Sequence, residues 1–137
     1  MKNRRISDMP KIELDSRPAK QHSEVHIALD FDATLAEYES WDNQGHIVGK
    51  PIKKMVENAK SWLKKGYKIS IFTARLSHGQ LESEKQIVLI QKFLKENGLP
   101  DTLPITCIKA HWFTNFIDDK ANHVIPNTGV IEGNTGL

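Results

Sequence analysis

Residues 25–35 read VHIALDFDATL, an apolar run with a β-branched start that ends in two acids, Asp30 and Asp32. A run of this kind predicts a central strand buried on both faces, with polar residues leaving its carboxyl end. Downstream, Ile52, Met55, Val56, Ala59, Trp62 and Leu63 recur at three- and four-residue spacing, with Pro51 suited to a first helical turn and Gly66 to a left-handed stop. Residues 67–72 follow at once as a second strand. Strand, helix and strand in that order make the unit of a parallel sheet with a right-handed crossover. A second helix is marked by Ser83 with Gln86 as a capping box, by Ile87, Ile90, Phe93 and Leu94 on one face, and by Gly98 as the stop. Residues 105–108 and 113–117 supply two more short strands, the last ending in Asp118 and Asp119, and Val124-Ile125 suggests an added edge strand. The expected fold class is α/β, an open, mostly parallel sheet with helices on both faces.

The chain has 137 residues, of which 39% are hydrophobic and 26% charged, the balance of one ordinary globular domain with a core of its own. No apolar run approaches the ~20 residues of a membrane-spanning helix, so no membrane role is expected. Residues 1–22 hold six basic and three acidic side chains against 13 and 14 in the remainder, which reads as a basic polar arm ahead of a near-neutral domain at 23–137. The arm lacks the apolar stretch and cleavage site of a secretory signal, although its charge could touch a polyanion such as nucleic acid. Cys107 is the single cysteine, so no internal disulfide can form, which suits a cytoplasmic protein. Residues 36–49, with Trp41, Asp42, Asn43 and Gly45, are short and turn-rich and read as a loop or small hairpin.

Four separate strand ends offer chemistry: Asp30 and Asp32, then Thr73, then Lys109, then Asp118 and Asp119. In open α/β sheets ligands bind outside the carboxyl ends of the strands. Carboxylates meeting there repel unless a cation neutralises them, and hard oxygen donors with no Cys or His pairing favour Mg²⁺ over zinc. A magnesium ion held by few protein oxygens keeps positions for water and phosphate, which points toward phosphoryl transfer.

DFDATL at 30–35, FTAR at 72–75, Lys109 and FIDD at 116–119 together resemble the four ordered motifs of haloacid dehalogenase superfamily phosphatases. The resemblance runs from Val25 to about Val124 and leaves the arm and the tail outside. It implies a Rossmann-like core without a cap domain, since neither 36–49 nor the segment before Lys109 is long enough for one. It also implies a Mg²⁺-dependent phosphate monoester hydrolase, a phosphatase working through an aspartyl-phosphate. In that reading Asp30 is the nucleophile with its other oxygen on Mg²⁺. Asp32 is the acid and base, its backbone carbonyl on the metal. Thr73 and Lys109 hold the transferring phosphoryl oxygens. Asp118 completes the metal site, and Asp119 stands behind it, orienting Lys109 or a metal-bound water. An acid at position 32 favours phosphatases within the superfamily. Ala33 stands where many relatives have Gly, and because Ala avoids positive φ, the loop is expected to be set slightly differently.

Plainer roles accompany each residue: a cap or turn for Asp30, Asp32 and Thr73, a surface lysine for Lys109, structure alone for Asp119. Arg75 and His78, on the loop after Thr73, are candidates to reach substrate, and Trp41 to line the entrance to the site. GHIVGK at 45–50 is no phosphate-binding P-loop, since its glycine spacing is one short and Pro51 replaces the required Ser or Thr. Cys107 and His111 lack a second ligand pair for zinc, and Cys107 reads as a small core residue. Two rival functions keep similar parts: a non-catalytic phosphate- or nucleotide-binding protein, and a phospho-accepting receiver module. In receivers, however, the Lys comes last along the chain. The partner expected is a phosphorylated substrate, with a nucleotide, a nucleic-acid end, a sugar phosphate and a phosphoprotein all compatible. An open, capless site can also be covered by a neighbouring subunit, so homo-oligomerisation stays open.

Overall fold

The computed structural model describes residues 24–41 and 47–137; the basic arm at 1–22 lies outside them. Four strands, β1 (His26–Leu29), β2 (Lys68–Phe72), β3 (Ile105–Thr106) and β4 (Asn115–Ile117), form one sheet in the order β3-β2-β1-β4. All pairings are parallel, with Leu29 opposite Ile71 on one side and Ile117 on the other. The helices are α1 (Lys53–Lys64) between β1 and β2, and α2 (Gln80–Glu96) between β2 and β3.

Strand side chains alternate between faces. Ile27, Leu29, Ile69 and Ile71 point to the face that carries Val56 and Ala59 of α1 and Ile90, Phe93 and Leu94 of α2, and these residues share one buried cluster. Each large side chain in it contributes roughly 1.5–3 kcal/mol by leaving water. Two successive right-handed crossovers running the same way across a sheet must lie on the same side. Helices on both faces were expected, but both described helices cover this one face. The opposite face carries His26, Ala28, Ser70, Phe72 and Phe116. It is covered by an aromatic group in which Phe113 meets His26, Phe72 and Phe116 at centroid distances of 5.0, 6.1 and 5.6 Å. Beneath those rings, His26 Nε2 and Ser70 Oγ share a hydrogen bond of 2.9 Å.

Both helix stops follow the glycines. At the end of α1 the Gly66 N–H reaches the Leu63 carbonyl at 2.9 Å and the Tyr67 N–H reaches Trp62 at 3.0 Å, with Gly66 at φ +87°. The same double bond closes α2 at Gly98 and Leu99. The helix starts differ from expectation. Pro51 lies two residues ahead of α1 and pairs with Ala36, while Ile52 N–H bonds the Leu35 carbonyl at 2.9 Å. Helix α2 begins at Gln80, three residues before the expected box, with Gly79 at its N-cap position. Ser83 Oγ donates to the Gly79 and Leu76 carbonyls, and Gln86 is buried rather than capping. The tail makes no fifth strand of the sheet; Val124 pairs with Ile131 in a separate small hairpin.

Candidate functional site

The register of β4 on β1 decides what meets at the sheet's carboxyl edge. It is pinned at the other end by Thr114, whose N–H donates to the His26 carbonyl and whose Oγ1 accepts from His26 N–H, both at 2.9 Å. Pairing then runs to Leu29 and Ile117, and the Asp30 N–H extends the ladder to the Ile117 carbonyl at 3.0 Å. Asp30 and Asp118 therefore leave neighbouring strands side by side. Beyond Asp30 the chain curls around one atom: the Phe31 carbonyl accepts from Leu35 and Ala36 N–H, both at 2.9 Å, while the Phe31 ring is buried against Phe93. The curl needs a left-handed residue, and Ala33 supplies it at φ +65°. The loop is thus not reset to spare the alanine, contrary to expectation; the alanine itself takes the strained conformation.

Asp30, Asp118 and Asp119 each offer a carboxylate oxygen, all within 4.8 Å of one another. Asp30 is half-buried and the other two are exposed. Thr34 Oγ1 donates to Asp30 Oδ2 at 3.3 Å, and Asp118 Oδ1 accepts the Lys120 N–H at 2.8 Å. Burial first, then a hydrogen bond shared with Asp119 and the charge of Asp118, push the Asp30 carboxyl up from 3.8 to about 7. Asp119, expected to stand behind the metal, belongs to the trio itself.

The carboxylate of Asp32 points elsewhere. Arg75 Nε donates to its Oδ2 and Arg75 Nη2 to its Oδ1, both at 2.8 Å, a two-pronged ion pair. The same guanidinium donates through Nη1 to Gln86 Oε1 and through Nη2 to the Ile47 carbonyl, again at 2.8 Å each. Gln86 in turn donates to Glu82 at 2.8 Å. Arg75, expected to reach substrate, is instead almost wholly buried, with four of its five N–H donors used inside the protein. It fastens the turn after β1, the loop before α1 and helix α2 to one point. Thr73 begins the short 3₁₀ turn Ala74–Ser77 that carries Arg75, its Oγ1 accepting the Arg75 N–H at 3.1 Å. That cap uses an oxygen lone pair and leaves the hydroxyl proton free to donate.

A cleft of about 640 Å³ joins these groups. Asp30, Asp32, Thr73, Asp118 and Asp119 line it, as do Trp41 and His78. The Trp41 and His78 rings are stacked, 5.0 Å apart and 18° from parallel. Lys109 is not part of the wall. It is exposed, its Nζ 5.1 Å from the centre of the Phe116 ring, on the aromatic side of the sheet. The lysine in the wall is Lys120, directly after the acidic pair, and its place there follows from the backbone bond to Asp118. Position next to a strand-end acid was the available signal for it. Tyr38 and Cys107 also reach the wall, so Cys107 is an exposed thiol and not a core residue. No described helix is long and apolar enough to cross a membrane. Comparison with protein-family models, curated proteins and solved structures finds no match to this chain.

Proposed function

We propose that this chain is a Mg²⁺-dependent phosphate monoester hydrolase that works through an aspartyl-phosphate on Asp30. The observation that carries the reading is the meeting of Asp30, Asp118 and Asp119 within 4.8 Å at adjoining strand ends, beside a buried Thr73. A hard divalent cation fits that donor set: three carboxylates that crowd one another, one of them driven toward neutrality by burial and by its neighbours. Asp30, Asp118 and Asp119 would hold it, and Asp32, committed to Arg75, has only its backbone carbonyl to add. Bound Mg²⁺ supplies charge neutralisation and polarises a phosphoryl oxygen.

Ionised Asp30 is the attacking species. Its carboxylate oxygen bonds to phosphorus as the bond from phosphorus to the ester oxygen breaks, and the departing oxygen takes its proton from solvent, because Asp32, expected as the acid, is the carboxylate of the Arg75 ion pair and serves as base. Water then attacks phosphorus, its proton passes to Asp32, and the bond to Asp30 breaks to release phosphate. The Arg75 fork occupies one lone pair on each Asp32 oxygen and leaves the others for this proton traffic. The Thr73 hydroxyl and Lys120, both in the cleft wall, are the donors for phosphoryl oxygens, a role in which Lys120 replaces Lys109. The lone cysteine, exposed on the cleft wall, supports a reducing compartment such as the cytoplasm.

The test is steady-state hydrolysis of p-nitrophenyl phosphate. Turnover with Mg²⁺ is expected to vanish in EDTA and in Asp30→Asn, and beryllofluoride is expected to add to Asp30 and to no other carboxylate. Undiminished turnover by Asp30→Asn overturns the nucleophile, and phosphate binding with no turnover in the wild type favours the non-catalytic rival.

A further inference from the structure

We infer that the phosphate carried into this cleft is that of a nucleotide, its base stacked on Trp41; the inference rests on the phosphate site proposed above. Trp41 is not a loosely placed surface ring. The Arg75 guanidinium carbon lies 5.1 Å from its centre, and the His78 ring stacks on it at 5.0 Å. Both Arg75 and His78 lie against the indole, and Trp41 is part of the cleft wall. Arg75 is itself immobilised between Asp32 and Gln86. The plane of the indole is thus set relative to Asp32, and through it to the phosphate site.

Such a platform suits a planar π-system. Base stacking on an aromatic side chain is tolerant of base identity and changes affinity by roughly 5- to 150-fold per base. The cleft's size, about 640 Å³, is that of a pocket for a molecule on the nucleotide scale. Its charge restricts the phosphate count. Four aspartates line it, Arg75 is spent on one of them, and Lys120 is the remaining cation of the wall among the described residues. With the proposed Mg²⁺ and Lys120 as the charges that meet phosphate, one terminal monophosphate is matched, whereas a diphosphate or triphosphate brings extra negative charge with no further basic partner among the described wall residues.

The experiment compares kcat/KM for AMP and UMP with that for ribose 5-phosphate, which keeps the sugar and phosphate but lacks the base. The wild type is expected to prefer the nucleotides by about 5- to 150-fold, Trp41→Ala to bring that ratio close to one, and Trp41→Phe to retain most of it. A ratio near one in the wild type, or one unchanged in Trp41→Ala, overturns the subsite. If the wild type hydrolyses none of the three, equilibrium binding of AMP and ribose 5-phosphate in Mg²⁺ is the readout. Preference for AMP that Trp41→Ala abolishes upholds the subsite while the hydrolase reading falls, and equal binding of the two overturns the subsite. A 5′-phosphorylated tetranucleotide distinguishes the source: faster turnover than AMP assigns the site to a nucleic-acid end, and slower turnover to a free nucleotide, the stacked base being upheld in both cases.

Discussion

Asp30 binds its proton more tightly in the folded chain than in the unfolded one, and that difference makes stability depend on pH. Its carboxyl is raised from 3.8 to about 7 by burial and by Asp119 and Asp118. Between those values the folded state holds more protons than the unfolded state, so stability is fully present below about pH 4 and declines as pH rises through 7. Urea melts of metal-free protein from pH 4 to 8 should show this decline, and Asp30→Asn should flatten it, leaving the variant more stable than wild type above pH 7. An Asp30→Asn variant that keeps the slope would mean another group is responsible. Ala33 offers a second single-residue test. At φ +65° it pays the Cβ penalty that glycine escapes, so Ala33→Gly should stabilise the protein by about 1 kcal/mol in the same melts. The motif DFDATL named the acids and even the odd alanine, but not the direction of the Asp32 carboxylate. That direction depends on Arg75, 43 residues away, whose own burial comes from Gln86 and Ile47.

Among the elements, helix stops were more legible than helix starts. Gly66 and Gly98 act through their own backbone conformation, a local property readable from one residue. Ser83 and Gln86 have the spacing of a capping box, yet Gln86 is drawn inside by the Arg75 guanidinium, a tertiary demand that outweighs a local cap. The segment between β1 and α1 is tied across its described ends by backbone pairing of Ala36 with Pro51. Glu37 N–H bonds the Lys50 carbonyl at 2.8 Å, and a Cβ on Gly49 would lie 1.8 Å from the Glu37 carbonyl oxygen. Gly49→Ala must force these two backbone stretches apart. A loss of about 1–3 kcal/mol is expected, the range for overpacking, and because Trp41 belongs to the same segment, its fluorescence should report the displacement. An unchanged melt together with an unchanged spectrum would argue that Gly49 is not confined in solution.

At the scale of the molecule, the alternation of βαβ units was enough to predict a parallel α/β sheet, and the two helical patterns were enough to place α1 and α2 in the chain order. The pattern was read as helices on both faces, although two like-handed crossovers in one direction require a single side. Lys109 was misplaced for a related reason: with β3 reduced to Ile105–Thr106, the chain has already left the sheet by Cys107, and the lysine turns toward Phe116. The position of β4 has a consequence for how the protein is made. Thr114 pairs with His26 across 88 residues, and the acidic trio is completed only when this last strand joins the first. The local units β1-α1-β2 and α2 can form earlier, since their contacts are near in sequence, while this closure spans the longest loop of the sheet. On a ribosome, the chain therefore carries Asp30 through most of its synthesis with neither Asp118 nor Asp119 beside it. The metal-dependent chemistry proposed for this edge would have to wait until the fourth strand has emerged.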